Sequence, residues 1–340
     1  MNVSHLSGLC RIRAVYGIVQ VKGFSVLAGG YVIPLGRFRF VVHLLSDLEL
    51  PDFAGFRFRG AFGLALKHSV CRQSPPVEKQ HCAQCPFRYD CAYTAVFEPQ
   101  AIHNPTHGTV PLPYIVSAPE GGRYARNTFI SFEITLVGTA MAFLPQVVMA
   151  VMRMLDKGLG PEKSRGRLEE VSLPYYPGAP VIYQRGDNTL SPFEPLVPEV
   201  CWDQPCSAVE LQWVTPVRLQ HKGALIRPGS VTPSVLFNAL MRRIEQVGMY
   251  YVPAWQSYAD EVIQSAITSL QLREENCRWQ MQERYSLRQQ KRMNMDGISG
   301  RFLMQGTLSP LLPLLIVGEQ LHCGKNTVFG LGRYQIRLLG

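Results

Sequence analysis

At 340 residues, with 46% hydrophobic and 17% charged side chains, the chain has the make-up of a globular protein of two ordinary domains and not of a disordered tail. Its 34 Lys and Arg against 25 Asp and Glu leave a formal charge of +9, which suits a polyanionic partner such as nucleic acid. The longest apolar candidate for a membrane span, Met141 to Leu155, is interrupted by Pro145 and carries Arg153, and the start lacks the order of a secretion leader, so a cytoplasmic chain with no membrane partner is expected.

Residues 1–36 show no clear amphipathic period and several glycines, and stand apart as an N-terminal extension of unknown role. Arg37 to Leu45 alternates and then runs apolar, which predicts a buried strand. Phe56 to His68 places Phe62, Ala65 and Leu66 at helical spacing and predicts a helix. A cysteine-rich insertion follows over 71–93. A strand at Thr128 to Val137, a helix at about Ala140 to Lys157 and a strand near Arg167 to Leu173 complete a mixed unit over 37–195. Pro174 to Pro205 is rich in proline and poor in periodicity, and marks a boundary. The second unit, 205–340, begins with a strand at Ala208 to Leu219. A helix at Ser234 to Val247 has Leu236, Leu240 and Ile244 on one face, and strands are predicted near Gly300 to Met304 and Tyr334 to Leu339. Strand, helix and strands in each half make the chain mixed α and β.

Cysteines number 9, an odd count, and Cys71, Cys82, Cys85 and Cys91 cluster around CAQCPFRYDC. In an intracellular chain that pattern points to a metal site and not to a disulfide framework. Four thiolates so close in sequence can close a tetrahedral structural zinc site, with His81 as a substitute ligand. An iron–sulfur cluster takes the same soft donors, and four unliganded thiols are the remaining alternative.

Arg278, Arg284, Arg288, Lys291, Arg292 and Arg301 form the densest basic stretch, with Trp279 and Tyr285 interleaved. It offers cations to phosphates and rings to bases; a solvated charged face is the alternative. In a helix Arg284, Arg288 and Arg292 would share a face. The segment Gly324-Lys325-Asn326-Thr327-Val328-Phe329-Gly330-Leu331-Gly332-Arg333-Tyr334 combines glycines, cations and aromatics. Glycine admits close backbone approach, and lysine and arginine beside it favour a phosphate-rich partner. Gly318 to Gly324-Lys325 has five intervening residues where a nucleotide-binding P-loop has four, and Asn326 follows the lysine, so nucleotide hydrolysis is not expected. A hairpin whose glycines only permit tight turns is the other reading.

The terminal segment resembles the C-terminal glycine-rich loop of the RAMP proteins of CRISPR systems. Phe58-Arg59-Gly60-Ala61-Phe62-Gly63, Phe97-Glu98-Pro99, Thr215-Pro216-Val217-Arg218, Arg284-Tyr285-Ser286 with Arg288-Gln289, then Gly297 and Gly300, follow in the order of the endoribonucleases that cut precursor CRISPR RNA, the sixth Cas family. The resemblance covers most of 37–340 and none of the first 36 residues. It implies an α+β architecture of two tandem ferredoxin-like (RRM-like) domains, the first carrying the cysteine-rich insertion, with the basic stretch on the approach to a β-hairpin. It implies the repeat of precursor CRISPR RNA as substrate, gripped by Arg284, Arg288, Arg292, Gly324, Lys325, Asn326, Gly330, Gly332 and Arg333. Cutting would proceed by metal-independent attack of the 2′-hydroxyl, leaving a 2′,3′-cyclic phosphate and a 5′-hydroxyl, with no cofactor for catalysis. Other Cas effector subunits are the implied protein partners.

Such a reaction needs the 2′-hydroxyl deprotonated and the leaving oxygen protonated, and imidazole titrates nearest neutral pH. His68 is the first candidate, near the end of the helix that carries FRGAFG, the region where the family keeps its histidine. Lys67 is the candidate cation for the phosphorane, although consecutive helical residues do not share a face. His43, in an apolar strand, reads as a core histidine, His103 and His107 as loop residues, and His322 as a contact to RNA that does not cut. Two other readings stand beside the nuclease. One is a RAMP subunit that binds crRNA in an effector complex without cutting. The other, a zinc-stabilised DNA-binding protein, lacks a recognisable recognition helix.

Overall fold

The computed structural model describes residues 33–72, 82–103, 109–197, 206–256, 261–286 and 291–339. Residues 1–32, His81, His107 and Arg288 lie outside the described residues, as does part of the proline-rich boundary.

β1 (Leu35–Leu44) sets the first core by strict alternation. Phe38, Phe40, Val42 and Leu44 are buried on one face, and Arg37, Arg39, Val41 and His43 take the other, as the two-residue period of a strand requires. β2 (Leu48–Phe53) leads into α1 (Gly55–Val70), and after the short α2 (Ala92–Val96) come β3 (Tyr114–Ser117), β4 (Glu120–Tyr124) and β5 (Phe129–Val137). α3 (Leu144–Lys157), β6 (Gly166–Ser172) and β7 (Val181–Gln184) complete this half. The main sheet is antiparallel in the order β3-β5-β1-β6-β7, and β2 pairs with β4 apart from it. α1 and α3 cover its even-numbered face, where the Phe58 ring meets Phe132 with centroids 5.0 Å apart. The stretch Gly138–Lys157 is apolar and long enough by composition to cross a membrane, yet Leu144, Val147, Val148, Val151, Met154 and Leu155 are buried in this core. The helix begins later than its periodicity predicts, because residues 138–143 form a 3-10 turn before Pro145, which is tolerated in a helix's first turn.

The second half runs β8 (Ala208–Val217), the small hairpin β9 (Gln220–His221) and β10 (Ala224–Leu225), then α4 (Pro233–Tyr251) and α5 (Glu261–Ser269). Thr232 caps α4 by accepting a hydrogen bond from the Val235 N–H. β11 (Gln271–Gln280), β12 (Glu283–Ser286), β13 (Lys291–Asn294) and β14 (Gly297–Gln305) follow, then α6 (Leu312–Leu321) and β15 (Tyr334–Leu339). The four-stranded sheet is antiparallel in the order β11-β14-β8-β15. β12 and β13 pair only with each other and extend the β11/β14 hairpin outward. The described residues of the basic stretch around Arg284 and Arg292 are therefore strand, in line with the hairpin that the resemblance implies, and not helix. Its register sets Arg284 opposite Met293 and Tyr285 opposite Arg292, so positions 284 and 292 fall on alternate faces of the ribbon.

In both halves a strand, helix, strand, strand, helix, strand series assembles with its first and third strands in the centre of the sheet. The halves meet along a seam. Arg37 of β1 donates to Gln320 of α6 at 2.9 Å, and the Tyr251 hydroxyl of α4 donates to the Pro111 carbonyl at 2.6 Å. The Arg37 guanidinium is also paired with Glu133 at 2.7 Å and lies 3.7 Å from the Tyr175 ring centre, so this buried charge is compensated.

Candidate nucleic-acid interface

The glycine loop is held by the turn at the end of β8. Thr215 Oγ1 donates to the Gly330 carbonyl at 2.7 Å and accepts from the Arg333 N–H at 2.9 Å. The Gly332 N–H donates to Pro216 O, and the Lys325 N–H donates to Arg218 O. Two motifs separated by about a hundred residues thus form one clasp. Asn326, Gly330 and Gly332 sit in the left-handed region, where glycine and asparagine are the tolerated residues. Within the clasp Lys325 is exposed, Asn326 and Arg333 are half-buried, and Gly330 and Gly332 are buried.

Arg218 ties the clasp to the base of the basic hairpin. Its Nη1 donates to the Asp296 carbonyl at 2.6 Å. The Asp296 carboxylate accepts from the Gln282 N–H at 2.8 Å, from Asn294 Nδ2 at 2.7 Å and from Trp279 Nε1 at 3.2 Å. Desolvation opposes ionisation here, but these hydrogen bonds and then Arg218 outweigh it and hold the carboxyl below its usual range. The Arg227 guanidinium stacks 3.7 Å from the Trp279 ring centre. From this base β12 and β13 project, carrying Arg284 and the exposed Arg292, whose nearest carboxylate, Glu283, lies 3.7 Å away.

The first turn of α1 closes the other side of the loop. Phe56 packs on Phe329, and Arg59 lies 4.0 Å from the ring centre of Phe97 and 5.3 Å from that of Phe329 while its Nε donates to the Tyr114 hydroxyl. Gly55 lies so close to the Phe329 carbonyl that no side chain fits there.

The predicted catalytic pair is not gathered at this place. His68 is half-buried in the last turn of α1, thirteen residues beyond Gly55, which at 1.5 Å per residue is about 20 Å from the loop. Lys67 is buried, with Nζ 5.4 Å from the Tyr93 ring centre, and lines the cysteine pocket, which His68 does not. His43 is not a core histidine, since alternation along β1 turns it to the open face, where its ring stacks on Phe129. His103 meets the Tyr250 ring edge-on. His322 is buried behind the loop with Nδ1 3.2 Å from Leu331 O, and burial, then Arg37 and Arg333, push it down to about 3. An imidazole so held stays neutral at working pH.

Cys71, Cys82, Cys85 and Cys91 line one pocket of about 380 Å³, together with Lys67, Arg72 and Tyr93. The donor set suits zinc or an iron–sulfur cluster. Among the described residues, however, no three His, Cys, Asp or Glu side chains converge as a metal requires. Burial, then Glu98, push the Cys82 thiol up to about 12.

Sequence reasoning passed over Asp296, Arg227 and Gly55, and it took Arg59 as part of the Phe58–Gly63 motif without assigning it a role. Only Asp296-Gly297, an acidic-glycine pair ahead of a strand, left a visible signal. The others are defined by partners distant in sequence.

A family model described as an N-terminal domain matches residues 33–195, and one described as CRISPR-associated endoribonuclease Cas6 matches residues 211–334. An uncharacterized protein of Archaeoglobus fulgidus is 22% identical over 309 residues, which cover 85% of this chain and 93% of that one. A product complex of Thermus thermophilus Cas6 is similar in structure, with a TM-score of 0.52, 13% identity, and coverage of 89% of this chain and all of that one. A partial Cas6-RT-Cas1–Cas2 complex aligns with a TM-score of 0.50 and 13% identity over 90% of this chain. The chain spans 46% of the length of that protein and 29% of the related chain in a Cas6-RT-Cas1–Cas2 complex. At such identities the likeness is one of fold.

Proposed function

We propose, for a chain whose residues 211–334 match the model of the CRISPR-associated endoribonuclease Cas6 family, an enzyme that binds the repeat of precursor CRISPR RNA and cuts it to mature crRNA. The observation that carries this reading is the position of Arg218. Its carbonyl holds Lys325 of the glycine loop and its guanidinium holds Asp296 at the base of the basic hairpin, so both RNA-binding candidates present from one end of the second sheet. The central placement of first and third strands in both sheets supports two tandem ferredoxin-like units, over 37–195 and 205–340, with the cysteine-rich insertion in the first.

In this proposal Arg284, Arg288, Arg292, Lys325 and Arg333 take phosphates. Cutting proceeds by 2′-hydroxyl attack without metal, with His68 as the proton-transfer group. Zinc, held by Cys71, Cys82, Cys85 and Cys91 on closure of their pocket, is structural and stays out of the chemistry. Other Cas subunits are the proposed protein partners and the cytoplasm the proposed site of action. The second reading, a subunit that grips crRNA without cutting, is favoured by one observation: His68 and the glycine loop lie at opposite ends of α1.

The test is single-turnover incubation of end-labelled repeat RNA with purified protein in EDTA. One cut per repeat with a 2′,3′-cyclic phosphate end supports the nuclease. A gel shift with intact RNA supports the binding subunit. Neither shift nor cut sinks both.

A further inference from the structure

The face of the first sheet that carries the odd-numbered residues of β1 is closed at the seam and open at its far end. Arg37 and Thr135 are 6% and 4% exposed, whereas Phe129, paired across from His43, is 64% exposed. From Arg37 to His43 is six residues, about 20 Å along an extended strand. A lone exposed ring on a protein surface is ordinary. This one is not alone. The His43 imidazole stacks on it with centroids 5.1 Å apart and planes inclined by 30°. Arg167 of the neighbouring strand brings Nη2 to 3.4 Å from His43 Nδ1.

The charge around the two rings is complementary to phosphate. Glu169 is shared by Arg167 at 2.8 Å and Arg185 at 3.6 Å, and Glu133 is shared by Arg37 and Arg39 at 2.7 and 3.4 Å. Each of these carboxylates therefore faces two guanidinium groups. Glu170, opposite Val41, is a third acid, and the exposed Asp47, which accepts from the Arg126 N–H at 2.7 Å, is a fourth. With the exposed Arg126 and Arg165 in the turns that meet the end of β1, six guanidinium groups still stand against four carboxylates. The result is a flat aromatic pair with cations on its rim, on an open antiparallel sheet. Single-stranded nucleic acid is met by that combination, because every base has a face to stack and every linkage a phosphate.

We propose that His43 and Phe129 form a base-stacking platform for a single-stranded segment of RNA, with Arg167 and Arg39 taking the adjoining phosphates. It rests on the RNA-processing reading and adds a second contact surface, away from the glycine loop. Such a surface would hold the unpaired part of a substrate whose other part lies at the clasp.

The probe is a labelled oligouridine of about ten nucleotides, within the span of a single-strand groove, titrated at low salt because phosphate contacts weaken steeply with salt. His43→Ala and Phe129→Leu are expected to weaken binding by about 5- to 100-fold, the worth of one stacked base. Phe129→Trp keeps the stacking face and should bind like wild type. Phe129 is exposed, so its variants test the surface and not the core. Equal binding by Phe129→Leu and wild type overturns the platform, as does a wild-type protein with no affinity for oligouridine. Cleavage of repeat RNA, measured on the same preparations, judges the processing reading separately. Loss of oligouridine binding in the variants of a protein that never cuts repeat RNA would uphold the platform and sink the nuclease.

Discussion

A Cβ atom added to Gly330 would stand 2.7 Å from the carbonyl oxygen of Val116, on β3 of the other half of the molecule. Gly330 also holds φ at +85°, and Gly332, at +71°, faces the Cys323 carbonyl with no room for a side chain. These glycines answer first to the chain's own packing: they let the terminal loop close against β3 and α1. Gly330→Ala should therefore destabilise the RNA-free protein by about 1 to 3 kcal/mol, the usual cost of a side chain forced into a disfavoured backbone region. Urea unfolding without RNA measures it. An unchanged midpoint, with RNA binding alone impaired, would mean that the glycine serves the ligand and not the fold.

His322 predicts a pH dependence whose sign can be worked out. Its folded value, pushed to about 3 by burial and by Arg37 and Arg333, lies below the 6.5 of a free histidine. Between those values the unfolded chain takes up a proton that the folded chain refuses, so stability falls as pH falls. From pH 6.5 to 5 the loss approaches about 2 kcal/mol for one fully linked proton. Glu319, raised above 4.5 by burial, works in the opposite direction over the range just above that value. His322→Gln should flatten the curve of unfolding midpoint against pH across this window. A curve parallel to wild type would show that His322 gains its proton in the folded state.

The strands and helices most legible in the sequence were those with one buried face. β1, α1, β5, β8 and β15 carry alternating or helical apolar positions, and each stands within a few residues of its expected place. β11 was invisible because it is an edge strand with polar residues on both sides: only Leu272, Cys277 and Trp279 break the run from Gln271 to Gln280. β3 has four residues, too few to show a period. His43 was misjudged because the apolar run around it hid the alternation that turns Val41 and His43 away from the core. The glycine loop and Thr215-Pro216-Val217-Arg218 were each readable as motifs. That they clasp each other, and that Arg218 reaches Asp296 across 78 positions, is a fact of topology that no local pattern encodes.

The cysteine pocket makes a compositional prediction. If Cys71, Cys82, Cys85 and Cys91 close on one ion, protein purified without chelator should carry about one equivalent of zinc by elemental analysis. Cys85→Ser should then lower the unfolding temperature more than it lowers cleavage per folded molecule, because metal affinity at a structural site is coupled to folding. Less than about a tenth of an equivalent of zinc and iron together would remove the metal. The pocket would then be four thiols packed around the buried Lys67, and Lys67→Met should be the more damaging change to stability.

The last prediction tests the base. His68 stands at the end of α1 remote from the loop, and a general base must come within hydrogen-bond reach of the hydroxyl it deprotonates. If the scissile phosphate lies beside His68, His68→Ala should slow single-turnover cleavage by about 100- to 10,000-fold while leaving repeat affinity nearly unchanged. Cations on the hairpin and loop carry the binding, and their loss shows instead as a shallower salt dependence, by about one unit of slope for each phosphate contact removed. The same assay on alanine variants of His43, His81, His103 and His322 asks where the proton goes. A normal rate for His68→Ala and collapse in one of the others moves the active site to that residue. The geometry singles out His43 among them, because its partly exposed ring already faces a proposed RNA surface. Normal rates in all five would leave cutting without an imidazole, and a chain that shifts repeat RNA without cutting it would be the binding subunit.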